Sequence, residues 1–141
     1  MKNAAKFVAV VLASALVVLV VALTSCGANY QKSLAGTYDL YEIQGDNGTT
    51  HEEIAQLEKA GFALFINLNE DGTFNFVYLG TDFKGSWSTK DGKSIEMAPE
   101  DTSVTMSDCT YEDGKLTLSL YGDTTVFAKG STRKVSDYVE Q

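Results

Sequence analysis

The stretch "FALFINLNEDGTFNFVYL", residues 62–79, contains two runs in which every second residue is apolar, separated by Asp71-Gly72. Phe62, Leu64, Ile66 and Leu68 share one face of the first run, and Phe74, Phe76 and Tyr78 share one face of the second. A period of two places those side chains on one side of a pleated strand. Asp-Gly readily adopts the positive φ angles of a tight reversal, so the stretch reads as an antiparallel hairpin with one apolar face.

The same period extends in both directions. "TYDLYEI" (37–43) carries Tyr38 and Leu40 on one face, and "DFKGSWS" (82–88) carries Phe83 and Trp87. Ile95 and Met97 mark a short strand, and Val104 and Met106 open another whose alternation is blurred at Asp108 and Cys109, as a bulge would blur it. "LTLSL" (116–120) offers Leu116, Leu118 and Leu120, and "TTVFAK" (124–129) offers Val126 or Phe127. The reading is therefore mainly β, with about eight short strands. Glu70-Asp71-Gly72-Thr73, Lys90-Asp91-Gly92-Lys93 and Glu112-Asp113-Gly114-Lys115 join neighbours in sequence order. These turns lack the alternating acids and terminal Glu that encircle calcium, so they read as turns and not as metal loops.

One segment breaks the period. Thr50-His51-Glu52-Glu53 is a capping box, Ile54, Leu57 and Ala60 recur at helical spacing, and Gly61 stops the run. A helix over about 51–60 is expected between the first and second strands. The end of the chain, 131–141, reads as a tail with one helical turn carrying Val135, Tyr138 and Val139. An antiparallel meander with one apolar face leaves two open edges unless it rolls up, so the expected architecture is a single up-and-down barrel over 36–130.

Ahead of the barrel, Lys2 and Lys6 precede an unbroken apolar or small run from Phe7 to Leu23. That run is longer than most signal h-regions and shorter than the roughly 20 residues of a spanning helix. Leu23-Thr24-Ser25-Cys26 follows it and resembles the lipobox of bacterial lipoproteins. The resemblance implies that residues 1–25 are a signal peptide cut between Ser25 and Cys26. It also implies that Cys26 carries a diacylglyceryl thioether and acyl chains such as palmitate. The domain would then be lipid-anchored at the extracytoplasmic face of the cell membrane, a side on which an uncleaved signal anchor would also leave it. Residues 26–35 would form the lipidated end and a polar tether, reaching at most about 30 Å from residue 27 onward when extended.

The barrel pattern also resembles the small lipocalin-like domains of bacterial lipoproteins, through Gly36-Thr37-Tyr38, "LNEDGTFNF", the "GSW" of Gly85 to Trp87 and "GKLTLSLYGDTTVFAK". Tyr38 stands where a lipocalin carries the Trp of its Gly-x-Trp. The resemblance implies a small apolar or amphipathic ligand inside the barrel and a helix over its mouth. Tyr38, Tyr78 and Trp87 keep polar atoms that need partners when buried, which makes them the candidate ligand-binding residues. Against a ligand stands volume: eight strands enclose a space that large side chains can fill. Phe62, Phe74, Phe76, Phe83, Trp87, Met97 and Met106 favour a filled interior.

On the opposite face, Tyr41, Ile43, Phe65, Val77 and Leu79 form an apolar patch that must be covered or used. Ile54 and Leu57 of the helix are the expected cover. The alternative is a protein-interaction or structural module of the cell envelope docking through Phe65 and Val77.

Composition narrows the function further. The chain has 11 Lys and Arg against 19 Asp and Glu, and removal of Lys2 and Lys6 with the leader leaves 9 against 19, a net charge of −10. Such a surface disfavours nucleic acid and anionic headgroups, which call for basic clusters. Cys26 and Cys109 are the two cysteines, so lipid on Cys26 leaves Cys109 without a disulfide partner, and it is expected as a buried small hydrophobe. His51 is the one histidine, and "HEEIA" lacks the second His of a zinc motif. No catalytic residue, metal ligand or cofactor is expected. The partners expected are the membrane, through the lipid, and a small hydrophobic ligand or an envelope protein.

Overall fold

The computed structural model describes residues 29–139. Residues 1–25, expected to be a signal peptide, and Cys26 lie outside the described residues. Eight strands follow in order: β1 (Gly36–Ile43), β2 (Leu64–Leu68), β3 (Thr73–Tyr78), β4 (Thr81–Thr89), β5 (Ser94–Pro99), β6 (Met106–Glu112), β7 (Lys115–Leu120) and β8 (Asp123–Lys129). Each pairs antiparallel with its sequence neighbours, and β1 pairs with β8 to close the barrel. This is the expected up-and-down architecture, lipocalin-like in its strand arrangement. Helix α1 (His51–Lys59) links β1 to β2, and its capping box is formed, with Glu53 N–H donating to Thr50 Oγ1 and Thr50 N–H donating to Glu53 Oε2.

Meander order fixes which connections share an end. The turns at 69–72, 90–93 and 113–114 lie at one end, the base, together with the start of β1. Helix α1 and the turns at 79–80 and 121–122 lie at the other end, the mouth. Asp113-Gly114 makes a two-residue reversal with both φ angles positive. Leu79-Gly80 and Tyr121-Gly122 make the same reversal, with Leu79 at φ 50 and Tyr121 at φ 51. The Asp71 and Asp91 turns are longer, and their carboxylates accept backbone N–H groups two or three residues on.

The interior is packed. Tyr38, Ile66, Leu68, Phe74, Phe76, Leu116, Leu118 and Phe127 are all under 2% exposed. A Cβ at Gly85 would meet Ala98 O at 2.4 Å and Phe74 Cε1 at 2.5 Å, so the missing side chain is what lets the Phe74 ring lie across β4. Phe127 takes the inward position and Val126 the outer face. The blurred alternation at Asp108 and Cys109 is a bulge: the β6–β7 register shifts between Ser107 and Thr110, and Asp108 has φ 54.

A second bulge overturns one expectation. The β1–β8 register shifts between Leu40 and Glu42, which makes Tyr41 the extra residue. Beyond the bulge the alternation is reset, so Ile43 packs against the core and does not join Tyr41 outside. Tyr41 itself stacks on His51, with ring centroids 4.0 Å apart.

The outer patch is covered, but not by α1. Phe65 and Val77 face each other across β2–β3 and are fully buried. Their cover is the C-terminal tail, which runs along the outside of the barrel through a 3-10 turn (Val135–Asp137) and sets the Tyr138 ring edge-on to Phe65 at 5.4 Å. Arg133 fixes the tail: its Nε lies 3.2 Å from Asp39 Oδ1, its Nη2 lies 3.7 Å from Glu58 Oε2, and its Nη1 donates to Tyr138 Oη at 2.8 Å. The Nε contact is an ion pair and not an aligned hydrogen bond, and it is what compensates the otherwise unpartnered, buried Asp39 Oδ1. Burial works against the Arg133 charge, yet Asp39, Tyr138 and Glu58 outweigh it and hold the guanidinium above its ordinary pKa. Leu79, expected in the same patch, sits instead at its hairpin tip and is 69% exposed.

The segment read as a polar tether is also structured within the described residues. Residues 29–34 are helical, and Leu34 is buried in the core cluster. The Tyr30 ring lies against Gly92, where an added Cβ would meet Tyr30 Cδ1 at 2.7 Å. Lys129 Nζ donates to Ser33 O at 2.7 Å. The base is closed by this segment.

Candidate functional site

With the base closed and the interior filled, the space left for a ligand is at the mouth. A cleft of about 260 Å³ opens there between α1 and the strand ends. Leu40, Leu64 and Phe76 line it from the barrel wall, Ile54 and Leu57 from α1, and Phe62 from the α1–β2 connection. Ile54 is the buried residue of α1 and packs into the core cluster. The helix therefore lies over the mouth and leaves the outer patch to the tail. This position follows from the sequence of α1: Ile54 is buried and Leu57 borders the cleft, while Glu52, Glu53 and Lys59 stay in water. Thr49, Tyr78, Tyr121, Asp123 and Thr125 supply polar atoms around the apolar floor.

The three residues singled out as pocket lining separate. Tyr78 does line the cleft, with its ring stacked on Phe76 at 6.2 Å and nearly parallel. Tyr38 and Trp87 belong to the base. Tyr38 Oη donates to Leu34 O at 2.5 Å, and Trp87 Nε1 donates to Asn69 O at 3.0 Å. Each buried polar atom has a fixed partner within the chain, so these two rings close the base. Burial, followed by the nearby Tyr111 and Cys109, raises the Tyr38 pKa well above its ordinary value of 10.0. Leu120, Tyr121, Asp123 and Thr125 were missed as cleft residues. The available signal was "LYGDT", where Gly122 marks a reversal that brings both flanks to the mouth.

A wider groove at the base, about 820 Å³, runs between the helical segment 29–34 and the turns around Asp91 and Asp113. Its walls set Tyr30, Leu34 and Tyr111 among Asp91, Lys93, Glu112 and Asp113, so it is an open groove edged by charged turns. Ligand sites combine an apolar floor with a few convergent polar groups, and the mouth cleft has that form.

The nucleophilic and titratable side chains are dispersed. Cys109 is buried, and desolvation pushes its thiol up to about 12, so it holds no thiolate at neutral pH. His51 is exposed, with Nδ1 3.3 Å from Tyr41 O. Asp71, Asp91 and Asp101 have lowered pKa values because hydrogen bonds from Thr73, from Ser94 and Lys93, and from Ser103 hold their charged forms, each within its own turn. Among the described residues no group of three or more His, Cys, Asp or Glu is placed to hold a metal ion.

No protein-family model matches the chain, and neither a curated protein nor a solved structure matches it. The functional reading therefore rests on the geometry of the barrel and on the sequence of residues 1–26.

Proposed function

We propose that this chain is a membrane-anchored, extracytoplasmic lipoprotein whose β-barrel binds a small apolar or amphipathic molecule without transforming it. The observation that carries the binding role is the mouth cleft: an apolar floor of Leu40, Leu64 and Phe76 under a helix that contributes Ile54. The anchoring role rests on Leu23-Thr24-Ser25-Cys26 behind the basic and apolar leader.

The two roles fit together in space. The described chain begins at the base, and three residues from Cys26 to residue 29 span at most about 11 Å. A lipid on Cys26 would hold the base toward the bilayer and turn the mouth away from it. The ligand then arrives through the aqueous side.

Native mass spectrometry of the chain from residue 26 onward, purified from its own envelope, tests the binding role. A bound small molecule lost on Leu64→Trp, which fills the cleft, is the expected result; a clean apo mass refutes it. For anchoring, Cys26→Ala is expected to leave an uncut precursor and to abolish detergent-phase partitioning of the mature form. Normal processing of that variant would exclude the lipobox reading.

A further inference from the structure

We infer that the mouth cleft is selective for single-chain amphiphiles with a cationic head, held at the rim by Asp123 and the rings of Tyr121 and Tyr78. The inference rests on the reading of the cleft as a ligand site and adds the chemistry of what fills it.

The cleft divides by depth. Leu40, Leu64 and Phe76 offer no hydrogen-bonding side chain, so what reaches the floor must be hydrocarbon. The volume, about 260 Å³, falls just below the usual range for ligand sites, room for one alkyl chain of medium length and not for a fused ring system. Among the lining residues Asp123 carries the one charge, and no Lys or Arg joins it. A carboxylate or sulfate head would meet Asp123 and a domain already at −10, whereas a cation is attracted by both.

Tyr121 adds an independent observation. It occupies the first position of the β7–β8 reversal at φ 51, a conformation that Gly, Asn or Asp adopt with least strain. The residue is 50% exposed, so it adds little to the core in return. Tyr121, Asp123 and Tyr78 all line the cleft, so two aromatic rings and a carboxylate bound the space that an ammonium group would enter. Aromatic faces attract such cations through their quadrupole, most strongly where water is partly excluded.

The test uses the chain from residue 26 onward with Cys26→Ser, which contains the whole closed barrel. Decyltrimethylammonium, decanol and decyl sulfate, each below its micelle concentration, are titrated by calorimetry. Amide shifts of Ile54 and of residues 120–125 locate the site. The cation is expected to bind tightest and the sulfate weakest. Asp123→Asn should weaken the cation about fivefold and leave decanol unchanged, and Tyr121→Asn, which suits the turn, should weaken it about threefold. Glu70→Gln at the base controls for diffuse attraction and should change nothing. Decanol binding as tightly as the cation, or Glu70→Gln costing as much as Asp123→Asn, overturns the selectivity and leaves the cleft a ligand site. Failure of all three probes to bind overturns both.

Discussion

The two ends of the barrel are built from similar residues and solve opposite problems. At the base, Leu34 is buried from a helical segment, and Tyr38 and Trp87 each donate to a backbone carbonyl of the chain. At the mouth, Ile54 alone is buried from α1, while Leu57 and Tyr121 remain 44% and 50% exposed around the cleft. The base uses its polar aromatic atoms to complete internal hydrogen bonds, whereas Tyr78 and Tyr121 at the mouth line the cleft. The barrel interior is thus closed off at the base, whose groove lies among charged turns, while at the mouth an apolar cleft continues into the barrel wall.

The sharpest way to break this contrast is to cut into the base. Trp87→Ala is expected to destabilise the fold by about 3–5 kcal/mol, since it removes a buried ring and one of the two hydrogen bonds to Asn69 O, leaving the one from Gly72 N–H. Ile54→Ala, at the mouth, should cost about 2 kcal/mol, because the site adjoins an open cleft that can relax or hydrate. Chemical denaturation of both variants measures the difference; equal losses would mean that the mouth is packed as rigidly as the base.

Alkaline pH separates the ends by another route. Cys109 and Tyr38 both have folded pKa values raised above their ordinary 9.0 and 10.0, so their neutral forms are favoured in the folded chain. Their stabilisation is full below pH 9, and it is lost as pH rises: for Cys109 between 9.0 and about 12, for Tyr38 from 10.0 upward. Each group contributes a slope of about 1.4 kcal/mol per pH unit within its window. Cys109→Ala should flatten the decline that begins near pH 9, and Tyr38→Phe the part above pH 10. A denaturation midpoint that stays constant to pH 11 would contradict both. The smallest effect belongs to Arg133→Ala, about 1 kcal/mol, because its ion pairs are partly exposed. Hydrogen exchange should nevertheless quicken around Phe65 and in α1 together, since one guanidinium holds both.

Much of this was legible in the sequence because strands with one buried face repeat every second residue. The hairpin at 62–79, the capping box and the β6 bulge all appear where the pattern places them. The base and mouth could not be told apart in the same way. Tyr38, Tyr78 and Trp87 look alike as inward aromatics, and their partners, Leu34 O and Asn69 O, are backbone atoms without a sequence signature. The Tyr41 bulge was hidden because an extra residue in a strand leaves composition unchanged while reversing the faces after it. Leu79-Gly80 and Tyr121-Gly122 escaped notice because bulky residues rarely take the left-handed position of a reversal. The tail was hidden in turn because Tyr138 covers Phe65 across more than seventy residues of chain, a distance at which no local period operates.

The pairing of β5 with β6 has a kinetic meaning. Their ladder runs only through Ser94–Thr110 and Ile95–Cys109, whereas β3–β4 and β7–β8 are matched along their length. A cylinder with one weakly stitched wall opens along that line before it loses its other strands. Amides along β5 and β6 are therefore expected to exchange with solvent ahead of those in β7 and β8.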